Sequence, residues 1–170
     1  MSYQLSGPKT DAAGLEALAP LWIELHRHHR DVSEYRPLVQ DVGASWERRL
    51  SWYRRLVQGG ACYLTASDDE GRVIGYAMVA IETGPDDTFA TERGTAEVVT
   101  LVVTAQRRSA GVGQALLVAA EELALTRGCD TIKNAVMAGN QRAQAFYEGR
   151  GYAVAEQVLY RSLGAPSPER

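Results

Sequence analysis

The sequence predicts a single α/β domain whose mixed sheet carries helices on both faces. Three observations predict it: two helix-period apolar stripes early in the chain, a pair of strand-like runs joined by a tight turn, and a late strand–turn–helix–strand succession. The chain has 170 residues, the size of one domain, and a chain of that length buries about 70% of the surface its unfolded form exposes. Its 45% hydrophobic and 23% charged residues are ordinary for a globular protein.

Residues 3–6 read as a short first strand, ended by Gly7 and Pro8. From 13 to 29, Leu15, Leu18, Trp22 and Leu25 repeat at three and four, one stripe of an amphipathic helix. Pro37 lies in a polar connection, and a second helix is expected over 45–57, with Trp46, Leu50, Tyr53 and Leu56/Val57 on one face and Gly59-Gly60 as its stop. Residues 61–66 and 73–81 then read as a hairpin around Asp68-Asp69-Glu70-Gly71. A polar loop over 84–94 leads into Glu97–Val103, a nearly continuous β-branched run that suits a strand covered on both faces.

After that run, a basic, glycine-containing turn over 106–113 opens a long helix, 113–127, stopped by Gly128. Residues 131–136 form another expected strand. Asn140 caps a short helix through Tyr147, and 152–163 is expected to supply a last strand or hairpin. The domain is expected to span 1–164, with 165–170 as a flexible Pro/Ser tail.

Charge and composition remove several classes of function. A net charge of −3 supplies no excess of Lys and Arg to displace counterions from phosphates, so nucleic acid is not an expected partner. It leans slightly toward a cationic ligand. Cys62 and Cys129 lack metal-binding spacing and read as reduced core residues. No signal peptide and no apolar run of membrane-spanning length are present, so a soluble, cytoplasmic protein without membrane contact is expected. His26, His28 and His29 lack a carboxylate or cysteine at matching spacing, and no metal is expected.

The segment Arg108-Ser109-Ala110-Gly111-Val112-Gly113 lies between a strand and a helix start. Open N–H groups, the positive helix end and glycines that let the backbone approach an anion fit a diphosphate, with Arg107 or Arg108 adding charge. A plain tight strand-to-helix connection is the other reading. Downstream, Asn140, Ala143, Ala145, Phe146-Tyr147-Glu148 and Gly151-Tyr152 form N-x-x-A-x-A-F-Y-E-x-x-G-Y. These two segments in this order resemble the GNAT superfamily of N-acetyltransferases. The resemblance covers about residues 96–152 and departs where many members carry Gly and Arg or Lys in place of Ser109 and Ala110.

The resemblance implies a mostly antiparallel twisted sheet, acetyl-CoA as co-substrate, and transfer of an acetyl group to an amine by direct attack in a ternary complex. It implies that the backbone of Leu101 and Val103 bonds the thioester carbonyl and pantetheine arm where two strands splay. By the same resemblance the turn Arg108–Gly113 wraps the pyrophosphate, Asn140 contacts the arm, and Tyr147 lies beside the sulfur. Chemistry agrees: amine attack on a thioester makes an oxyanion that a fixed N–H stabilises, and a phenol of pKa about 10 is an acceptable donor to a thiolate of pKa about 8.5. A core aromatic is the other reading of Tyr147.

Glu97 is the candidate base for the amine proton, against the alternative of a strand-end carboxylate facing solvent. The first two helices are implied to border the acceptor, which brings in His29, Glu34 and Tyr35 as candidate substrate contacts. Asp86, Asp87 and Glu92 either attract a cationic acceptor or form a solvated loop. Trp22, Trp46 and Trp52 suit core or pocket wall. The acceptor is a small-molecule or peptide amine of open identity, a homodimer through the last strands is conceivable by fold analogy, and a non-catalytic acyl-CoA-binding module is the alternative function. A dinucleotide-binding fold would need a third glycine after Gly111-Val112-Gly113, and Gln114, Ala115 and Leu116 follow instead.

Overall fold

The computed structural model describes residues 2–163; the expected tail and its boundary lie outside the described residues. The elements are β1 (Gln4–Lys9), α1 (Ala19–Val32), α2 (Val42–Gln58), β2 (Cys62–Ser67), β3 (Val73–Thr83), β4 (Gly94–Val103), α3 (Val112–Thr126), β5 (Thr131–Asn134) and α4 (Gln141–Glu148). The five strands form one sheet in chain order. Neighbours are antiparallel except β4 and β5, which run parallel with α3 as their crossover.

Two apolar clusters lie on opposite faces. One joins Leu64, Ala77, Val79, Ala96 and Val98 of the sheet to Leu116, Leu117 and Ala120 of α3. The other joins Tyr63, Tyr76, Met78 and Val102 to Leu15, Leu18, Leu21, Tyr53 and Val57 beneath α1 and α2. The mixed sheet with helices on both faces is therefore present. Among the described residues no helix is long and apolar enough to cross a membrane.

The first helix starts later than its stripe suggests. Leu15–Leu18 is a separate 3₁₀ turn, and α1 begins at Ala19 with Pro20 in its first turn, where a missing N–H costs nothing. The buried stripe survives the break because the turn still delivers Leu15 and Leu18 to the core. α2 starts at Val42, earlier than expected, because the Asp41 carboxylate accepts from the Ala44 N–H at 2.9 Å.

Two readings change more substantially. β4 is covered on both faces, but its residues alternate between buried and half-buried. The expected strand or hairpin at 152–163 is absent among the described residues: it joins no strand, and Val158, Leu159, Tyr160 and Leu163 are exposed. Neither alternating set in that segment is consistently apolar, since Glu156 and Ser162 interrupt one and Gln157 and Arg161 the other. Tyr152 remains anchored, donating to Glu121 at 3.0 Å.

Candidate active site at the split between two strands

The site arises where the parallel pair comes apart. β4 and β5 are in register from Thr95 with Thr131 to Val98 with Asn134, and there the pairing ends while β4 continues to Val103. On its other edge, β4 slips one residue against β3: Met78 opposes Thr100 while Val79 opposes Val98, leaving Val99 as the extra residue of a bulge. The bulge reverses the phase of the strand. Ala96 and Val98 pack in the α3 cluster, as do Leu101 and Val103, whereas Val99 and Val102 pack in the α1/α2 cluster.

The ladder also fixes where the peptide groups point. Thr104 donates to the Ile74 carbonyl at 2.9 Å. Alternation then turns Thr100 and Val102 toward β3, and the N–H and C=O groups of Leu101 and Val103 toward the open side. The Val103 carbonyl accepts there from Arg108 Nε at 3.5 Å. An unpaired strand edge inside the molecule is a place for a ligand to complete the ladder.

A cavity of about 100 Å³ occupies the split. Leu101, Asn140, Ala143 and Tyr147 line it at the α4 side; Trp22, Leu25, His29 and Arg49 line it at the α1/α2 side. It therefore passes from one face of the sheet to the other. A larger cleft of about 240 Å³ lies between α1, the β2–β3 turn and residues 104–107. Its carboxylates Glu24 and Asp68 are occupied by Arg108 and Arg72, and it holds none of the reacting groups expected from the sequence.

Tyr147 lies in the cavity wall on α4, one turn from Ala143. Its ring also packs on Phe146 and Tyr152, with centroids at 5.1 and 5.4 Å, so the core-aromatic and cavity readings both hold. Burial raises its phenol above the usual 10, and the neighbouring Asn134 amide partly offsets that rise. The buried Asn134 Nδ2, at the last rung of the split, makes no hydrogen bond of full geometry, and the Tyr147 hydroxyl is the group it approaches. Asn140 is the N-cap of α4: its side-chain oxygen accepts from Ala143 N–H at 3.1 Å, and the residue lines the cavity.

Beyond Val103, at the same end of β4, the turn leads into α3. No side chain caps this helix; its first backbone bond runs from Ala115 N–H to the Gly111 carbonyl at 2.9 Å, so Val112, Gly113 and Gln114 present open N–H groups. Glu24 on α1 holds the approach to the turn, accepting from Thr104 Oγ1 at 2.9 Å and Ala105 N–H at 2.6 Å and pairing with Arg108 at 3.4 Å. Arg107 lies 3.9 Å from Asp68. Both arginines expected to add charge thus sit beside carboxylates. A third cation supplements them from an unexpected place: Arg150 stacks on Phe146 at 3.8 Å and donates to Gln114 at 3.2 Å, beside the first turn of α3.

Ser109 adopts a left-handed conformation, φ 67°. That costs a non-glycine residue about 1–2 kcal/mol, while glycine would lose about 0.5–1 kcal/mol to chain entropy. Relief of strain is the larger effect, so Ser109→Gly is expected to raise the melting temperature by about 2 °C. An unchanged or lower value in thermal unfolding contradicts that strain.

The histidines separate by role. His26 is buried, stacks on Trp22 and bonds the Val39 carbonyl at 2.8 Å, a structural position. His29 faces the cavity. Burial lowers its pKa to about 4, helped by His28, His26 and Arg49, so it is neutral at pH 7. The folded pKa is below the unfolded 6.5; the associated stability is present above that value and lost as pH falls toward 4. Urea titrations are expected to lose on the order of 2–3 kcal/mol across that window, and His29→Gln is expected to reduce the loss. Equal loss in both proteins contradicts the burial of an uncharged imidazole.

The acetyltransferase (GNAT) family profile matches residues 22–152. The chain belongs to that family. In sequence it is 34% identical over 102 residues to a mycothiol acetyltransferase of Clavibacter michiganensis subsp. michiganensis, covering 59% of this chain and 30% of that protein. The chain therefore matches under a third of that relative's length. In structure it resembles a GCN5-related N-acetyltransferase from Ralstonia eutropha JMP134, with TM-score 0.71, 15% identity, and 96% and 99% of the two chains covered. It also resembles an aminoglycoside N-acetyltransferase solved in complex with CoA, with TM-score 0.65, 16% identity, and 96% and 95% covered.

Within this GNAT chain the candidate residues divide clearly. Leu101, Asn140, Tyr147 and His29 meet at the cavity, and Val103 leads from it to the turn Arg108–Gly113. Glu97 is not in the wall; it lies opposite Lys133 in the paired part of β4, just before the split. Glu34 is exposed, and Tyr35 stacks on Tyr160 at 5.5 Å; neither lines the cavity. Trp46 and Trp52 pack against the α1/α2 cluster, and Trp22 is buried at the cavity wall. Among the described residues no group of three His, Cys, Asp or Glu is placed to hold a metal.

Arg49 and Asn134 were missed. Arg49 had a readable signal: it lies three residues after Trp46 and four before Tyr53, on the apolar side of α2. Asn134 had none, because its value depends on where β5 leaves β4.

Proposed function

We propose that this chain is an acetyl-CoA-dependent N-acetyltransferase acting on a primary amine. The observation that carries the reading is the continuous open track along the end of β4: peptide groups at Leu101 and Val103 that β5 no longer pairs, Tyr147 and the Asn134 amide beside them, and an uncapped helix start at its far end. These residues fit a long acyl carrier with an anionic group. The strand edge bonds an amide-containing arm, and the N–H groups of Val112 to Gln114 take the diphosphate without needing side chains. The CoA complex of the aminoglycoside N-acetyltransferase neighbour supports the same choice of co-substrate.

When bound, the thioester supplies an activated acetyl group. The free N–H on the β4 edge stabilises negative charge developing on its oxygen as the amine nitrogen bonds to carbon. The C–S bond breaks, and Tyr147 hydrogen-bonds or protonates the departing sulfur. Its raised pKa makes full transfer uphill, so hydrogen bonding dominates. The amine proton leaves toward water. Glu97 belongs to the reading as the final acceptor through a water chain, because its pleat position faces the same side of the sheet as Val99.

Two further parts of the reading rest on single observations. Both cysteines are buried and free, which fits a reducing, cytoplasmic setting. The exposed apolar residues at 158–163 fit cover by a second copy of the chain, and sedimentation equilibrium is expected to show a homodimer.

Calorimetric titration with acetyl-CoA tests the co-substrate. Binding in the micromolar range, with none for NADH, is expected. No acetyl-CoA binding up to millimolar concentration overturns the reading.

A further inference from the structure

We infer that the acceptor amine also carries a carboxylate, and that Arg49 is the residue that holds it. This rests on the N-acetyltransferase reading and names its substrate class.

The net charge of −3 points toward a cationic acceptor, but the site reverses that. Among the described residues lining the split there is no Asp or Glu, and Arg49 is the one charged side chain, His29 being neutral. The guanidinium lies 3.8 Å from the Trp22 ring, 4.5 Å from Trp52 and 5.5 Å from Tyr53. Among the described residues it forms no ion pair with any carboxylate, whereas Arg54, Arg72, Arg93, Arg107 and Arg108 each do. Burial pulls its pKa below the usual value, while the Tyr53 and Tyr76 hydroxyls, Tyr53 by hydrogen bonding, partly offset that fall.

Aromatic stacking on the faces of a guanidinium leaves its N–H edge for in-plane acceptors; Tyr53 engages part of that edge, and a carboxylate matches the remaining N–H groups with two oxygens. One positive charge balances a monoanion. A phosphate dianion would remain half-compensated, because among the described residues no second cation lines the cavity. A polycation meets only repulsion. Arg49 and Tyr147 line opposite sides of the same cavity, so a molecule with its carboxylate at Arg49 extends its amine toward the split. Tyr53, one turn along α2, stiffens this wall by donating to Thr100 Oγ1 at 2.6 Å and meeting the Tyr76 hydroxyl at 3.1 Å.

The test is acetyl-CoA-dependent thiol release by the full chain with α-amino acids and straight-chain ω-amino acids, each against its methyl ester. The best free acid is expected to exceed its ester in kcat/KM by more than about tenfold. In Arg49→Gln the ratio is expected to fall to about one, through KM, with acetyl-CoA affinity unchanged. Esters or diamines preferred by the wild type, or a preference for the acid that survives Arg49→Gln, overturn the inference. If esters turn over and acids do not, acetyl transfer stands and this inference alone falls; if acetyl-CoA binds and no amine releases thiol, both fall. The acid-to-ester comparison in the wild type decides even if the variant does not fold.

Discussion

Tyr147→Phe is expected to lower kcat about a hundredfold and to leave acetyl-CoA affinity within about a factor of two. The low end of general-acid effects applies because a thiolate leaves tolerably without help at neutral pH. Affinity is spared because the ring stays: Phe keeps the packing on Phe146 and Tyr152 that holds α4 in place. With the phenol raised above 10 by burial, Tyr147 stays protonated through the neutral range, so the wild-type profile is expected to show no descending limb below about pH 10 from this group. Single-turnover thiol release on the purified pair of proteins separates chemistry from product release. An unchanged chemical rate removes Tyr147 from the reaction.

Gly139→Ala is expected to be the most damaging small substitution near the cavity. A Cβ at Gly139 would lie 1.8 Å from the Val32 carbonyl oxygen and 3.0 Å from its carbon, where the end of α1 meets the loop between β5 and α4. Both partners are backbone, so neither yields by rotating a side chain. Overpacking of this kind costs about 2–3 kcal/mol, and separating α1 from the loop moves His29 away from Met137 and Asn140. Urea denaturation and kcat/KM are both expected to fall. Gly113→Ala provides the contrast, since its nearest neighbour is 3.6 Å away; it is expected to fold with no loss of stability. Equal stability of Gly139→Ala and the wild type contradicts the close approach.

The parts of the fold that read easily were those set by local chemistry. The glycine turn before α3, the Asn140 cap and the Asp68–Gly71 hairpin each depend on residues adjacent in sequence, and each appears where expected. The bulge at Val99 could not be read. In a run of Val, Thr and Leu, every residue suits either face, so a one-residue change of phase leaves no trace in composition. That bulge nevertheless decides which peptide groups open toward the split. The expected strand at 152–163 failed for the opposite reason: its apolar content was visible, but its alternation was broken by polar residues on both faces.

The site shows the same division. Tyr147 and Asn140 were legible because they belong to one short helix that resembles a known family pattern. Arg49 escaped notice because arginine in an amphipathic helix is ordinarily solvent-facing, and its importance comes from Trp22 on another helix. Glu34 and Tyr35 are expected at the acceptor from their place between the first two helices, but neither lines the cavity: Glu34 is exposed and the Tyr35 ring meets Tyr160.

Thiol release from acetyl-CoA, followed with and without a panel of primary amines, tests the central claim most directly. The account predicts release that requires both acetyl-CoA and an amine, saturates with each, and yields the N-acetylated amine by mass spectrometry. Bound acetyl-CoA with no amine-dependent release across neutral, cationic and carboxylate-bearing amines would contradict it and leave a chain that binds acyl-CoA without transferring the acyl group.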